Sequence, residues 1–118
     1  MSFDVDVLVI GAGACGLSAA IAAHDAGATV AIVEKRDRPG GNSSLSTGSV
    51  PAANSRFQRA AGLVDSPGKM VADLMAIAGE TDDLALVQRM ADVSAETVEW
   101  LVDTVGARMV LITAYKHI

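Results

Sequence analysis

Apolar and polar positions along this chain alternate in blocks whose period changes several times. Val5 to Ile10 (V-D-V-L-V-I) is β-branched and almost wholly apolar. That run predicts a strand buried on both faces, as in a parallel sheet. Gly11 to Gly16 is a glycine-dense turn. Leu17 to Ala26 is alanine-rich with high helix propensity, and Gly27 stands where a helix C-terminal glycine belongs. Thr29 to Val33 (T-V-A-I-V) predicts a second buried strand. Residues 4–34 therefore read as strand, turn, helix, strand, at the length of one βαβ unit, about 30 residues.

Residues 35–53 break the pattern. Pro39, Gly40, Gly41, Gly48 and Pro51 are interspersed with Ser43, Ser44, Ser46, Thr47 and Ser49, which predicts a long irregular loop. A flexible Ser/Gly linker is the bland reading of the same residues. Ser66-Pro67 then makes a helix start, with Ser as N-cap and Pro at the first helical position, and the helix is expected over about 67–79 with Gly79 as its stop. Thr81 or Asp82 starts a further helix, expected over about 82–105. Leu86, Met90, Val93, Thr97, Trp100 and Leu101 lie on one of its faces, and Gly106 ends it. Met109 to Thr113 (M-V-L-I-T) predicts a third strand. No internal repeat or interdomain linker interrupts residues 1–118.

Composition narrows the class. With 51% hydrophobic and 19% charged residues, the chain can bury a core and is not disordered by composition. Aromatics make up only 3%, so that core must be built from Val, Leu, Ile, Ala and Met. The net charge of −5 argues against a nucleic-acid-binding surface, and the one basic cluster, Lys35, Arg36 and Arg38, is diluted by Glu34 and Asp37. Cys15 is the single cysteine, which excludes an intrachain disulfide and suits a reducing, cytoplasmic compartment. No basic n-region of a secretory signal precedes Lys35. Val7 to Ala23 carries no charge, but Gly11, Gly13 and Gly16 break it and acidic residues precede it, so a buried strand and helix explain it better than a membrane span.

The chemistry is concentrated in Gly11-Ala12-Gly13-Ala14-Cys15-Gly16, a G-x-G-x-x-G sequence. The pattern alone is weak. Here a strand precedes it, a helix follows it, and Glu34 ends the next strand, 18 positions beyond Gly16. A ribose-binding acid is expected about 20 positions on. Gly11 permits the tight turn, Gly13 lets a pyrophosphate approach the backbone, and Gly16 lets the helix pack closely on the sheet. The helix N-terminus offers free N–H groups and partial positive charge to phosphates. The Glu34 carboxylate can accept from ribose hydroxyls and would repel a 2′-phosphate, which disfavours NADP. Ala20 and Gly27 are small where the helix must cross the sheet. These residues indicate a dinucleotide site without separating FAD from NAD.

The continuation E-K-R-D-R-P-G-G-N-S-S-L-S-T-G-S-V-P-A-A resembles the flavoprotein subunits of the fumarate reductase and succinate dehydrogenase family, including soluble relatives that act on ketosteroids and other unsaturated acids. The resemblance runs from the first strand to about His117 and is sharpest at Gly11–Gly16, Glu34–Lys35 and Gly40–Ala53. It implies an α/β fold: a Rossmann-like FAD-binding βαβ unit with parallel strands and a helical excursion, truncated relative to family members several times longer. It also implies FAD as cofactor. Gly40, Gly41, Asn42 and Ser43 would wrap the pyrophosphate and ribityl chain, Ser46, Thr47 and Gly48 would approach the isoalloxazine ring, and Lys35 and Arg36 would count with Glu34 among the cofactor-binding residues. Some members tether FAD through a histidine in this loop. Asn42 stands at that place here, so FAD is expected to be held non-covalently.

The activity implied is oxidation or reduction of a C–C bond next to a carbonyl or carboxylate, by hydride transfer with flavin, on a small-molecule substrate of the complete enzyme. The family's catalytic residues and capping domain lie beyond this stretch. No catalytic residue and no metal site are therefore assigned, and the chain is not expected to be catalytically complete alone. A truncated, non-catalytic nucleotide-binding fragment and an NAD-binding module are the competing readings. An unpaired sheet edge predicts association with the remainder of an enzyme or with itself. Cys15 reads as a small side chain under the cofactor, His24 as a surface residue, Asp82 and Asp83 as helix-start charges, and Tyr115, Lys116 and His117 as a tail group leading towards the substrate region.

Overall fold

Two parallel strands and the helix joining them carry the first half of the chain. In the computed structural model, which describes residues 4–79 and 83–112, β1 spans Val7–Ile10 and β2 spans Val30–Val33. They pair in parallel with Val7 opposite Val30 and Ile10 opposite Val33. Asp6 and Thr29 clasp the entrance of the ladder. The Asp6 carboxylate accepts from the Thr29 N–H (2.8 Å) and hydroxyl (2.7 Å), while the Asp6 N–H donates to the Thr29 hydroxyl (3.0 Å). These bonds favour the charged form, so the Asp6 carboxyl titrates below its ordinary value of 3.8.

Helix α1 spans Ala14–Asp25. It starts three residues before the leucine at which the helical run was expected, because the Leu17 N–H already reaches the Gly13 carbonyl (2.9 Å). The second half of the glycine turn is thus the first helical turn. At the other end Gly27 takes φ +91, with its N–H on the His24 carbonyl and the Ala28 N–H on the Ala23 carbonyl. That is the left-handed stop for which glycine is favoured. Ala20 is the buried residue of α1.

The strands are not buried on both faces. α1 covers one face, and Leu8 and Ile10, which point the other way, are 56% and 83% exposed. Alternation along a strand puts successive side chains on opposite faces, so in β1 covering one side leaves every second residue open.

Residues 50–112 form a second unit, made of helices. α2 spans Arg56–Ala60, α3 spans Pro67–Ala78 and α4 spans Leu84–Asp103. Ser66 caps α3 by accepting from the Lys69 N–H, and Gly79 ends it at φ +72. Asp83 caps α4, its carboxylate accepting from the Ala85 and Leu86 N–H groups. The expected helix-start residues Thr81 and Asp82 lie outside the described residues, as do Thr113 and the Tyr115–His117 group. α3 packs on α4 around Ala53, Met70 and Ala91, with Val71 and Leu74 against them.

Two features depart from the sequence reading. The buried face of α4 is Ala91, Ser94 and Val98, whereas Leu86 and Met90 of the expected apolar stripe are exposed. Close approach of α3 selects small side chains over large ones. The strand expected at 109–113 is not formed over residues 109–112, which join no ladder. A β-branched run becomes a strand only where a neighbouring backbone offers pairing groups.

Candidate functional site

The candidate site lies at the C-terminal ends of β1 and β2. As β1 ends, the Gly11 N–H still donates to the Val33 carbonyl (2.7 Å), but Gly11 takes φ +101 and turns the chain off the sheet. The next amide, that of Ala12, donates to Glu34 Oε2 at 2.8 Å. The other carboxylate oxygen, Oε1, accepts from the Arg36 N–H at 3.0 Å. Glu34 therefore ties the turn after β1 to the turn after β2. The Ala12 amide first, then the Arg36 amide, hold its carboxyl below the ordinary glutamate value of 4.5. Each carboxylate oxygen can accept a second hydrogen bond.

The 35–53 loop folds back onto the same place. The Gly40 N–H donates to the Ala12 carbonyl (2.7 Å), and Gly13 and Gly40 form a parallel bridge, so the loop continues the sheet for one residue past β1. A 3₁₀ turn over Gly41–Leu45 follows. Within it the Ser44 hydroxyl donates to the Gly41 carbonyl, and the Ser43 hydroxyl accepts from the Ala14 N–H at 3.2 Å. Ser43 thereby occupies one of the free amides at the N-terminus of α1, while its own proton stays available to a further acceptor. The stretch is an ordered turn rather than a free linker.

Three glycines of these turns differ in what a side chain would meet. A Cβ on Gly16 would meet the Gly11 carbonyl oxygen at 1.9 Å, so the helix cannot cross the turn with any side chain there. Gly40, at φ +125, would drive a Cβ to 2.7 Å from that of Ser44. Gly13 is different: it has φ −79, and its Cβ would lie in ordinary contact, 3.8 Å from the Gly40 carbonyl oxygen. Among the described residues nothing demands glycine at position 13, and its backbone is left open to close approach from outside.

A cavity of about 570 Å³ is lined by Ile10, Gly11, Gly13, Val33, Glu34, Lys35, Arg36, Gly41 and Asn42. Of the residues singled out from sequence, it brings together Gly11, Gly13, Glu34, Lys35, Arg36, Gly41 and Asn42. Ala12 stands behind its wall through its bond to Glu34, while Gly40 bonds to Ala12 and Ser43 to Ala14. Ala14, Cys15 and Gly16 form the first turn of α1, and the Cys15 side chain is exposed. Ser46, Thr47 and Gly48 do not line the cavity. They follow the 3₁₀ turn, where the Gly48 N–H donates to the Ser46 hydroxyl (3.1 Å). Among the described residues no group of His, Cys, Asp or Glu could hold a metal ion, and no helix is long and apolar enough to cross a membrane.

Sequence reasoning passed over α2, although Ser55-x-x-Gln58 spells its capping box. The Ser55 hydroxyl accepts from the Gln58 N–H, and the Gln58 side chain accepts from the Ser55 N–H. It also passed over Ser94 and Ala53, whose contact spans 41 positions and leaves no local signal.

Comparison with known proteins finds similarity along most of the chain. The family model described as an FAD binding domain matches residues 6–114. The fumarate reductase (cytochrome) of Shewanella frigidimarina is 41% identical over 97 residues, covering 82% of this chain and 17% of the reductase. The urocanate reductase of Eggerthella lenta is 36% identical over 102 residues, covering 86% of this chain and 17% of that protein. Among solved structures, the 3-ketosteroid-Δ4-(5α)-dehydrogenase of Rhodococcus jostii RHA1 superposes with a TM-score of 0.76 at 34% identity, over 86% of this chain and 21% of the dehydrogenase. The chain thus spans about a fifth or less of the length of these relatives.

Proposed function

Because this chain belongs to the FAD-binding domain family and FAD is the cofactor of that domain, we propose that its two turns hold the ADP half of FAD for a flavoprotein oxidoreductase. The observation that carries the reading is the convergence on one cavity of the Gly13 backbone, the Glu34 carboxylate and the Gly40–Ser43 turn. The amides of α1 and the Ser43 hydroxyl face the pyrophosphate, and the free lone pairs of Glu34 take the ribose hydroxyls. Lys35 and Arg36 line the adenosine side, and Gly41 and Asn42 the side towards the ribityl chain. Ser46, Thr47 and Gly48 carry the chain on towards the isoalloxazine ring.

Bound FAD supplies hydride transfer, here with a C–C bond next to a carbonyl or carboxylate of a small-molecule substrate. The protein's part in this segment is to bind and orient. Relatives named for reducing fumarate and urocanate, and for dehydrogenating a ketosteroid, support that substrate class. Asn42 has no nucleophile to offer a flavin methyl group, so attachment is non-covalent. Catalytic acid–base groups are not assigned within this stretch.

The test is a titration of the purified chain with FAD, ADP and NAD, followed by a visible spectrum before and after denaturation. Flavin bands near ~450 nm with all flavin released on unfolding support the reading. Tighter binding of NAD than of FAD, or flavin that stays on the denatured chain, overturns it. The open sheet face at Leu8 and Ile10 supports self-association of the isolated chain. A sharp monomer peak in size-exclusion chromatography counts against that part.

A further inference from the structure

The side chains of β1 and β2 say little about which residues should face each other. The two runs, V-L-V-I over Val7–Ile10 and V-A-I-V over Val30–Val33, are apolar throughout. Strand faces repeat every two residues, so a slip of two positions sets apolar against apolar and returns each side chain to its own face. Packing against α1 therefore opposes a slip of one residue far more than a slip of two. A slip of two would carry Glu34 roughly 6.6 Å along the sheet, out of hydrogen-bond reach of the Ala12 amide.

Polar groups supply the register mark that the apolar ones lack. Among the described residues, side-chain hydrogen bonds across the strand pair stand at its two ends. At the exit, Glu34 Oε2 accepts from the Ala12 N–H at 2.8 Å, across 22 positions. At the entrance, Asp6 Oδ2 accepts from the Thr29 N–H (2.8 Å) and hydroxyl (2.7 Å), across 23 positions. The same hydroxyl accepts from the Asp6 N–H at 3.0 Å, which closes a ring around one residue pair. The Thr29 carbonyl also accepts from the Asp6 and Val7 N–H groups. Each end thus sets a carboxylate of one strand on an amide of the other, in opposite senses. Neither Asp6 nor Thr29 lines the cofactor cavity, so ligand contact does not account for the clasp.

We infer that Asp6 is a positioning residue: its clasp on Thr29 sets the register that delivers the Glu34 carboxylate to the Ala12 amide. For its effect on the cofactor the inference rests on the flavin reading above, in which Glu34 takes the ribose hydroxyls. The ladder from Val7 to Ile10 separates the two ends by roughly 13 Å, and extended strands carry a shift at one end undiminished to the other. Without the clasp, slipped pairings compete with the native one, and in them Glu34 loses the amide that aims it. Asp6 touches no group of the cofactor cavity and acts on it only through Glu34.

The experiment follows the Glu34 carboxyl by carbon NMR titration in the chain and its Asp6→Ala variant. FAD affinity is measured beside it by calorimetry, with far-UV circular dichroism as the folding control. In the wild type the Ala12 amide, then the Arg36 amide, hold the Glu34 carboxyl below 4.5. In Asp6→Ala it should rise towards 4.5, because the Ala12 bond weakens while Arg36, two residues away, keeps its own. FAD affinity should fall about fivefold. In a Glu34→Gln background the same change should cost less than about twofold, because its route to the cofactor is already cut. Thr29→Ser keeps the hydroxyl and should retain wild-type behaviour in both measurements. If Asp6→Ala does not fold, Thr29→Val, which removes two of the clasp's side-chain bonds, should move Glu34 in the same direction. An unchanged Glu34 titration in the clasp variants overturns the inference and leaves the register to the connections through α1. Equal FAD losses in the two backgrounds overturn it as well, reducing Asp6 to a residue that stabilises the fold. A wild-type chain that binds no FAD overturns the flavin reading alone, since the Glu34 titration needs no cofactor and still decides for or against Asp6.

Discussion

The two units of this chain are built on opposite principles. In the first, residues 4–49, few side chains are buried: Ala12 and Ala20 are its buried hydrophobics, and the far face of the sheet is open. Order there comes from backbone bonds, glycine geometry and a carboxylate holding two turns together. The second unit has a conventional if small core, two buried serines, three capped helices and an arginine–carboxylate cluster. A region organised by its main chain presents amides and empty space, which is what a pyrophosphate needs. A region organised by side chains holds itself together. The contrast teaches where to look for function: in the part whose constraints the protein alone does not explain.

The sharpest way to break that comparison is Gly16→Ala. One methyl group would stand 1.9 Å from the Gly11 carbonyl oxygen, so α1 or the turn must move. FAD affinity is expected to fall more than ~100-fold, equivalent to ~2.8 kcal/mol, with a lowered melting temperature. An unaltered melting curve would show that the turn is less constrained than its geometry states.

Gly13→Ala sharpens the comparison instead. The new methyl group meets only ordinary contact with the Gly40 carbonyl, and φ −79 suits alanine. Melting should stay near wild type while FAD affinity drops roughly 30-fold, because the methyl occupies the approach of the pyrophosphate. Parallel loss of stability and affinity would mean that glycine is there for the fold.

Glu34→Gln comes next, with an expected loss of roughly tenfold in FAD affinity as charge-assisted bonds become neutral ones. Its pH dependence carries a definite sign. The Glu34 carboxyl sits below 4.5 in the folded chain, so its contribution is present in full above that value and is lost as pH falls through the folded value. The wild-type advantage over the glutamine variant should be constant above about pH 5 and shrink in more acid solution. An advantage that grows on acidification would rule out the carboxylate as the acceptor of the Ala12 and Arg36 amides.

These three positions are also the ones most legible in the sequence. Gly13, Gly16 and Glu34 do local jobs, a turn, a crossing and a strand-end acid, and local jobs leave local patterns. The βαβ unit and its cofactor follow from them. The α3 start has the same character: Ser66-Pro67 is a cap and a first turn written in adjacent letters. What could not be read depends on partners distant in sequence. The exposure of Leu8 and Ile10 is set by what covers the sheet, not by their own apolarity. The buried stripe of α4 went to Ala91, Ser94 and Val98 because a neighbouring helix comes close, a fact absent from α4 itself. The 109–112 stretch looks like a strand but lacks pairing, which no single segment can supply. Ser94 leaves no local pattern, because the amide that it accepts from, that of Ala53, lies 41 positions away.

The smallest expected effect tests whether the second unit's polar surface matters to the first. Arg56 forms a two-pronged pair with Asp103, at 2.6 and 2.5 Å, and its guanidinium lies over the Phe57 ring at 4.8 Å. The Arg56 bond and charge hold the Asp103 carboxyl below its ordinary value of 3.8, yet both side chains are largely open to solvent, where entropy and screening offset most of such a pair. Asp103→Asn should lower the melting temperature slightly at low salt and not measurably at high salt, as expected of an exposed pair. FAD affinity should stay at its wild-type value, because neither Arg56 nor Asp103 lines the cavity. A clear loss of FAD affinity in Asp103→Asn would break the division of roles between the two units.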